Sequence, residues 1–485
     1  MTRPASVTPI IPGFHPDPSI CLVDGVFYIA VSSFEYSPGV PLWRSTDLVT
    51  WELVTNILST DAQLTAGVAE SSRGVYAPTL RHHDGRFWVI TTDVFGGGNL
   101  IVTAPHPEGP WSDPVFLRGI VGIDPDIAWD EAGTCLVTYS DQGGGPVLIR
   151  QAEVDPATGQ LLEAPRLMWS GIGLHHPEAP HLYQRGDWWY LLIAEGGTER
   201  GHAVSIARSR DPRGPFEGNP ANPILTHRSL THPVQNTGHA DLVDTGDGEW
   251  AIVYLGVRAR GFTPWFHVNG RETFIAGIDW VDDWPVVDES RFEVPEHDAG
   301  FLETFDAPTL HPRWVSPGLR PEAFVSPADG GGVALAPAPA PAPVGRPSLL
   351  AVRCVDEWWS ARAVVEPGGA TAVLALRMDD RHAVEVRASA DAVWATACIG
   401  GLTIDLGRVE GVRDAVLQVS AEPATTDGPD DVVASVVIDG EVRELGRIDG
   451  RYLSTEVAAG FTGRVVGVRA EGGPVTLRSF RYDPA

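Results

Sequence analysis

Cysteine is scarce, positive charge is short, and long apolar runs are missing, and each shortage excludes something. Four cysteines (Cys21, Cys135, Cys354 and Cys398) lie far apart with no CxxC pair, which removes a zinc site or a disulfide framework and leaves free thiols. The formal net charge of −28 argues against nucleic acid and anionic membranes as partners, since both attract Lys and Arg. No stretch is long and apolar enough to span a bilayer. The N-terminal text MTRPASVTPIIPGFHPDP has no apolar signal core, so a cytoplasmic location is expected. GxSxG, GxGxxG, P-loop and HExxH motifs are all missing, which removes support for serine hydrolase, nucleotide-dependent and zincin chemistry. No segment sustains a helical period, so a parallel α/β sheet is disfavoured.

What is present is a repeat. Five segments each carry a short acidic or proline motif, an apolar strand, a Gly/Asp turn and an aromatic-rich strand. They are HPDPSICLVDGVFYIAVSS from His15, YAPTLRHHDGRFWVITT from Tyr76, IDPDIAWDEAGTCLVTYS from Ile123, HPEAPHLYQRGDWWYLLIAEGG from His176 and NTGHADLVDTGDGEWAIVYLG from Asn236. The turns at Gly25, Gly85, Gly133, Gly186 and Gly248 read as hairpins, and further strand-like text follows each. One repeat is then a four-stranded blade, and five repeats make a five-bladed β-propeller over residues 1–297. From residue 298 the acid-proline motifs stop. Short alternating strands such as TAVLALRM, HAVEVRAS and DVVASVVIDG predict a β-sandwich, concanavalin-like or jelly-roll, over 298–485. PAPAPAP at Pro337–Pro343 is expected to be a loop within the sandwich rather than the interdomain linker. The fold class is all-β.

In a propeller the first strand of each blade lines the central channel, so residues far apart in sequence can meet there. Asp17 (HPDPSI), Asp124 (GIDPDIAW) and Glu178 (HHPEAPHLY) start three such strands. A carboxylate beside a proline before a buried strand is poor for stability, because taking a charge out of water is costly unless it is paired. Three in register point to carboxylate chemistry, as in glycoside hydrolysis. Asp17, rigidly held between Pro16 and Pro18, reads as a general base or as an Asx-turn cap. Glu178 reads as a proton donor or a hydrogen-bonded structural Glu. Asp126, two residues after Asp124, is expected to serve a turn or the surface. His239 in the fifth repeat suits a water-orienting group, a ligand to an axial cation, or a strand cap. Arg271 (NGRETF) suits sugar hydroxyls or a salt bridge to a site carboxylate. Phe34 and Tyr76 suit an apolar wall for a sugar ring.

This constellation resembles glycoside hydrolase family 43, on FHPDPSI, SSFEYSPGVP, GVYAPTLR, GIDPDIAW, HHPEAPHLY, AEGGTERGHAVSIARS, TGHADLV and NGRETF. The resemblance implies an inverting exo-glycosidase that releases terminal β-D-xylosyl or α-L-arabinofuranosyl units from short oligosaccharides. It implies Asp17 as general base, Glu178 as general acid and Asp124 as the residue that raises and orients the acid. Phe34, Tyr76, His239 and Arg271 match the sugar subsite. No cofactor is implied for the chemistry, although family members often hold a calcium or sodium ion near the histidine matching His239. The text departs from the family at Tyr76, where Trp is common, and at HVNGRET. It departs again at TDAQLTAGVAESSRG, and together these leave the sugar preference open. The competing reading is a catalytically silent glycan-binding propeller with a lectin-like sandwich.

Overall fold

The structure is a computed structural model that describes residues 7–64, 70–337, 348–412 and 416–485. Each predicted hairpin opens a separate antiparallel sheet. The inner strands are Ser19–Val23, Thr79–His83, Gly122–Trp129, Glu178–Arg185 and Val234–Asp244. Each pairs with the strand that follows it, and a third and fourth strand complete the blade. The third sheet gains a fifth strand, Arg166–Trp169. All five turn glycines have positive φ, a backbone state that a side chain would strain. Second strands such as Trp188–Glu195 are buried along almost their whole length, as blades packed face to face require.

The inner strands pack side by side in the order first, second, third, fourth, fifth and back to first, which closes the ring. The N-terminal segment joins the fifth blade, where Ile10 N–H donates to Thr273 O at 2.8 Å. These features make the first unit a five-bladed propeller.

The second unit is a sandwich of an eight-stranded and a six-stranded antiparallel sheet. Its strands alternate, with buried and half-buried residues in turn along His382–Ala388, which is the signature of one face on a core. Val333–Leu335 and Leu349–Arg353 belong to different sheets of this sandwich, and between them only Pro337 of PAPAPAP lies within the described residues. The last blade strand ends at Asp288 and the first sandwich strand begins at Phe301, with residues 297 and 298 between them. All four cysteines are free. Among the described residues no helix is long and apolar enough to cross a membrane.

The two units share main-chain pairing. Ser316–Pro317 pairs with Tyr36–Ser37 of the propeller, and Phe14, Phe34 and Tyr36 pack with Leu349, Val373 and Val465 of the sandwich in one apolar cluster. Arg377 of the sandwich donates to the Tyr36 hydroxyl at 2.7 Å and reaches the buried Glu35 carboxylate at 3.4 Å. The sandwich therefore sits on the same end of the propeller as Phe34.

Candidate active site

The three acids stand at equivalent places in their blades, at the start of the inner strands. Asp17 and Asp124 have φ of +58° and +52°, and Ala179, next to Glu178, has +50°. His239 has +42°. Pairing skips a residue or two beside Asp124, beside Glu178 and around His239. Such bulges re-aim side chains, and left-handed backbone at non-glycine residues persists only where the surroundings over-determine it. Here the repeat imposes it around one axis.

Asp17 is 3% exposed. Its Oδ1 accepts from Arg271 Nη1 at 2.9 Å and its Oδ2 from Ser32 Oγ at 2.5 Å, and His239 Nδ1 lies 3.4 Å from Oδ1. Burial pushes the carboxyl up, but Arg271, His239 and Ser32 outweigh it and hold it below the usual range. Burial also drives His239 down to about 3 despite Asp17. The imidazole is thus neutral, and the cationic part of the effect on Asp17 falls to Arg271.

Glu178 is pushed the other way. Burial and the charge of Asp17 raise it to about 7, against the pull of Arg271. Asp124 is also raised, by burial and by the charges of Glu178 and Asp17. Asp124 Oδ2 accepts the N–H of Ala179 at 3.2 Å, which ties the two acids together through one peptide unit. Like charges this close resist ionising together, so the pair titrates as a unit and keeps a proton to near neutral pH. The hydrogen bond to Asp124 favours its anion. No hydrogen bond to the Glu178 carboxyl is found among the described residues.

Arg271 resolves its two sequence readings towards the salt bridge. It also takes Thr198 Oγ1 at 3.0 Å, and its guanidinium lies 5.5 Å from the Phe34 ring centre. Phe34 (φ +51°) and Tyr76 stand together as one aromatic wall, with centroids 5.2 Å apart. The Tyr76 hydroxyl donates to Ser72 O at 3.4 Å.

The wall has a third member from the other domain. Phe461 stacks on Phe34 at 5.7 Å, meets Tyr76 edge-on at 6.2 Å, and accepts Arg271 Nη2 on its carbonyl at 3.3 Å. Its own N–H donates to Ser72 Oγ at 2.9 Å. Phe461 sits in GFTGR, text with no strand period and no acid, so nothing in the sequence marked it. Ser32 and Thr198 lay inside quoted motifs but carried no chemistry of their own. Ser72 falls in TDAQLTAGVAESSRG, of which residues 65–69 are outside the described residues.

Asp126 corrects its expectation. It serves neither turn nor surface: it is fully buried and accepts from Arg81 Nη2 at 2.9 Å and Leu182 N–H at 3.0 Å, with His181 Nδ1 at 3.2 Å. Arg81 also donates to Asp241 at 2.8 Å. This second cluster of paired charges on the inner strands lies outside what the sequence indicates.

The described residues contain no group of three or more His, Cys, Asp or Glu side chains able to hold a metal. Hard cations want many oxygen ligands, whereas His239 offers one neutral nitrogen and Asp17 is engaged by Arg271. The donors present among the described residues therefore do not form a protein cage for Ca2+ or Na+.

Known proteins match both domains of the chain. The model for "Glycosyl hydrolases family 43" matches residues 7–285, and that for the "Beta xylosidase C-terminal Concanavalin A-like domain" matches 302–482. A xylosidase/arabinosidase of Butyrivibrio fibrisolvens is 41% identical over 71% of this chain and 71% of its own. The non-reducing end α-L-arabinofuranosidase BoGH43B of Bacteroides ovatus is 42% identical over 63% of this chain and 60% of its own. Among solved structures, the GH43B protein of the Bacteroides ovatus xyloglucan locus superposes with a TM-score of 0.88 at 32% identity over 99% of both chains. A xylan β-1,4-xylosidase from Bacillus halodurans gives 0.87 at 29% identity, over 98% of this chain and 99% of its own. The chain is thus a glycoside hydrolase and belongs to glycoside hydrolase family 43.

Proposed function

We propose that this chain is an inverting, exo-acting glycosidase that releases terminal β-D-xylosyl or α-L-arabinofuranosyl units from short oligosaccharides. The observation that carries this is the opposite push on two carboxyls in one pocket: Asp17 is held low while Glu178 is held high. Pairs driven apart in this way mark the base and the acid. At neutral pH Asp17 is ionised and takes a proton from water. The water oxygen bonds to the anomeric carbon as the glycosidic C–O bond breaks, and Glu178 gives its proton to the departing oxygen. Asp124 keeps the proton on Glu178 by its charge. A silent glycan-binding module has no use for this split, and the relatives at about 40% identity carry enzyme names.

Exo action is supported by Phe461, which walls the pocket beside Phe34 and Tyr76 and narrows it towards one terminal sugar. Tyr76 and the sandwich contribution are where xylose and arabinose would be told apart.

The test runs nitrophenyl β-D-xylopyranoside and nitrophenyl α-L-arabinofuranoside side by side, with NMR of the first sugar released. Hydrolysis of at least one with an inverted anomer is expected. A retained anomer would remove Asp17 as a base acting through water, and inertness to both would remove the pentose assignment.

A further inference from the structure

Among the described residues five arginines are buried: Arg271, Arg353, Arg377, Arg464 and Arg469. The chain has no lysine, so arginine supplies its entire fixed positive charge. Four of the five reach a carboxylate within salt-bridge distance: Arg271 meets Asp17, Arg377 meets Glu35, Arg464 meets Asp430 and Arg469 meets Glu385. Arg353 is the exception. It is 7% exposed, has no ion pair and no hydrogen bond among the described residues, and rests 5.3 Å from the Phe14 ring centre; its Nε and Nη2 are sealed from solvent without a partner, which leaves Nη1 to face a ligand. In a chain with a net charge of −28, an unpaired buried cation is conspicuous.

Arg353 lines a cavity of about 400 Å³ at the junction of propeller and sandwich. His15, Trp43 and Trp51 line it from the propeller, and Arg313 and Val352 line it with Arg353 from the sandwich side. Trp43 Nε1 is a second buried donor with no partner. Arg313 also reaches no carboxylate within salt-bridge distance among the described residues, and its guanidinium rests 4.1 Å from the Phe301 ring centre. Two carboxylates, Glu52 and Asp298, lie on the exposed rim, and Glu52 is taken by Arg44 at 2.8 Å. Burial lowers the Arg353 guanidinium to about 10, with only the Tyr36 hydroxyl opposing. It also lowers His15, with Arg353 beside it, so the imidazole adds no charge. The cavity is therefore flanked by two guanidinium groups without a carboxylate partner, Arg353 and Arg313, and its volume is in the range of small-molecule sites.

We propose that this cavity binds a small oxyanion that pairs with Nη1 of Arg353, with the aromatic walls of Trp43 and Trp51 favouring a carboxylate carried on a sugar-sized molecule. A guanidinium without a carboxylate partner attracts an oxyanion, and the pairing supplies the counter-charge the fold leaves out. Because the lining comes from both domains, the ligand would also tie them together.

The experiment is calorimetric titration of the full-length protein with D-glucuronate, inorganic phosphate and, as a neutral control, D-glucose. It is repeated on Arg353→Met and Arg353→Lys. Binding of glucuronate is expected, weakened at least tenfold by Arg353→Met and less by Arg353→Lys. Binding of phosphate alone would keep the oxyanion site and assign it an inorganic source. Binding of neither anion, or anion binding equal to that of glucose, overturns the proposal. So does anion affinity that is unchanged in both variants, since the anion then sits elsewhere. Ligand-free Arg353→Met should melt no lower than the parent, because it removes an uncompensated buried charge. Should it fail to fold, Arg353→Lys and a selenate soak with an anomalous peak at Arg353 decide; no weakening and no peak reject the site.

Discussion

Asp124 and Asp126 stand two residues apart on one inner strand, and their surroundings are opposite. Asp126 is saturated by Arg81, Leu182 N–H and His181, and the same arginine links it to Asp241. Asp241 in turn accepts from Ser19 Oγ, Ile20 N–H and the Tyr183 hydroxyl. Asp124 has one N–H and two neighbouring carboxylates. A bulge between Ile123 and Asp126 turns one side chain away from the other. Where donors outnumber acids, burial makes a strut. Where acids outnumber donors, burial makes a proton store. The same residue type thus gives stability in one cluster and chemistry in the other, and substitutions should separate the two.

The largest effect is expected in the acid pocket. Asp17→Asn removes the group that takes the proton from water, whatever the leaving group, and should lower kcat/KM by about 10²–10⁴-fold on aryl and natural glycosides alike. A loss confined to natural substrates would assign Asp17 another role. In the paired cluster the response should appear in folding. Asp241→Asn strips Arg81 of one of its two carboxylates and should cost about 2–4 kcal/mol by denaturant titration. The pH signature is specific, because burial pushes Asp241 up but Arg81, His181 and Ser19 together outweigh it and hold the carboxyl well below its usual range. Its contribution is complete above the unfolded-state value of about 3.9 and is lost as pH falls through the lower folded value. Parent and variant should therefore converge in acid, and a constant gap down to the lowest pH would contradict the linkage.

How far the sequence carried these regions depends on what each used as its signal. Blade hairpins were legible because turn glycines and period-2 strands are local, and Gly25, Gly85, Gly133, Gly186 and Gly248 all sit at turns. The acids were legible because proline and a buried strand made them locally unfavourable. Asp126 was misjudged since its partners, Arg81 and His181, come from neighbouring blades. Phe461 and Arg353 were invisible for the same reason: an aromatic in a loop and an arginine ending a strand acquire meaning only from a partner surface, or from the lack of one.

Glu178 sharpens the comparison from the stability side. Its folded value is raised, from about 4.5 to about 7, by burial and Asp17. Between these two values the folded state holds more proton than the unfolded chain, so the parent loses stability as pH rises through this window. Glu178→Gln carries no such penalty. It should be more stable than the parent at pH 8 by about 1–3 kcal/mol and near parity at pH 4. It should also lose activity mostly on alkyl glycosides, whose leaving oxygen needs the proton. Equal stability at both pH values would show that the carboxyl is not held protonated.

The smallest effect tests whether the two domains share one pocket. Phe461 belongs to the sandwich, yet it touches Phe34, Tyr76 and Arg271 of the propeller. If its ring is part of the sugar wall, Phe461→Ala removes an aromatic contact worth about 0.5–1.5 kcal/mol beyond area, or roughly two- to tenfold in kcat/KM. The loss should appear mainly in KM, because a wall binds ground state and transition state alike. Phe461→Leu, which keeps bulk without the ring face, should recover part of it. The carbonyl that accepts from Arg271 is main chain and survives both changes, so the pH profile set by Asp17 and Glu178 should stay in place. An unchanged KM in Phe461→Ala would reduce the sandwich to a support. A displaced pH profile would mean that Phe461 acts through Arg271 on the acid pair rather than on the sugar.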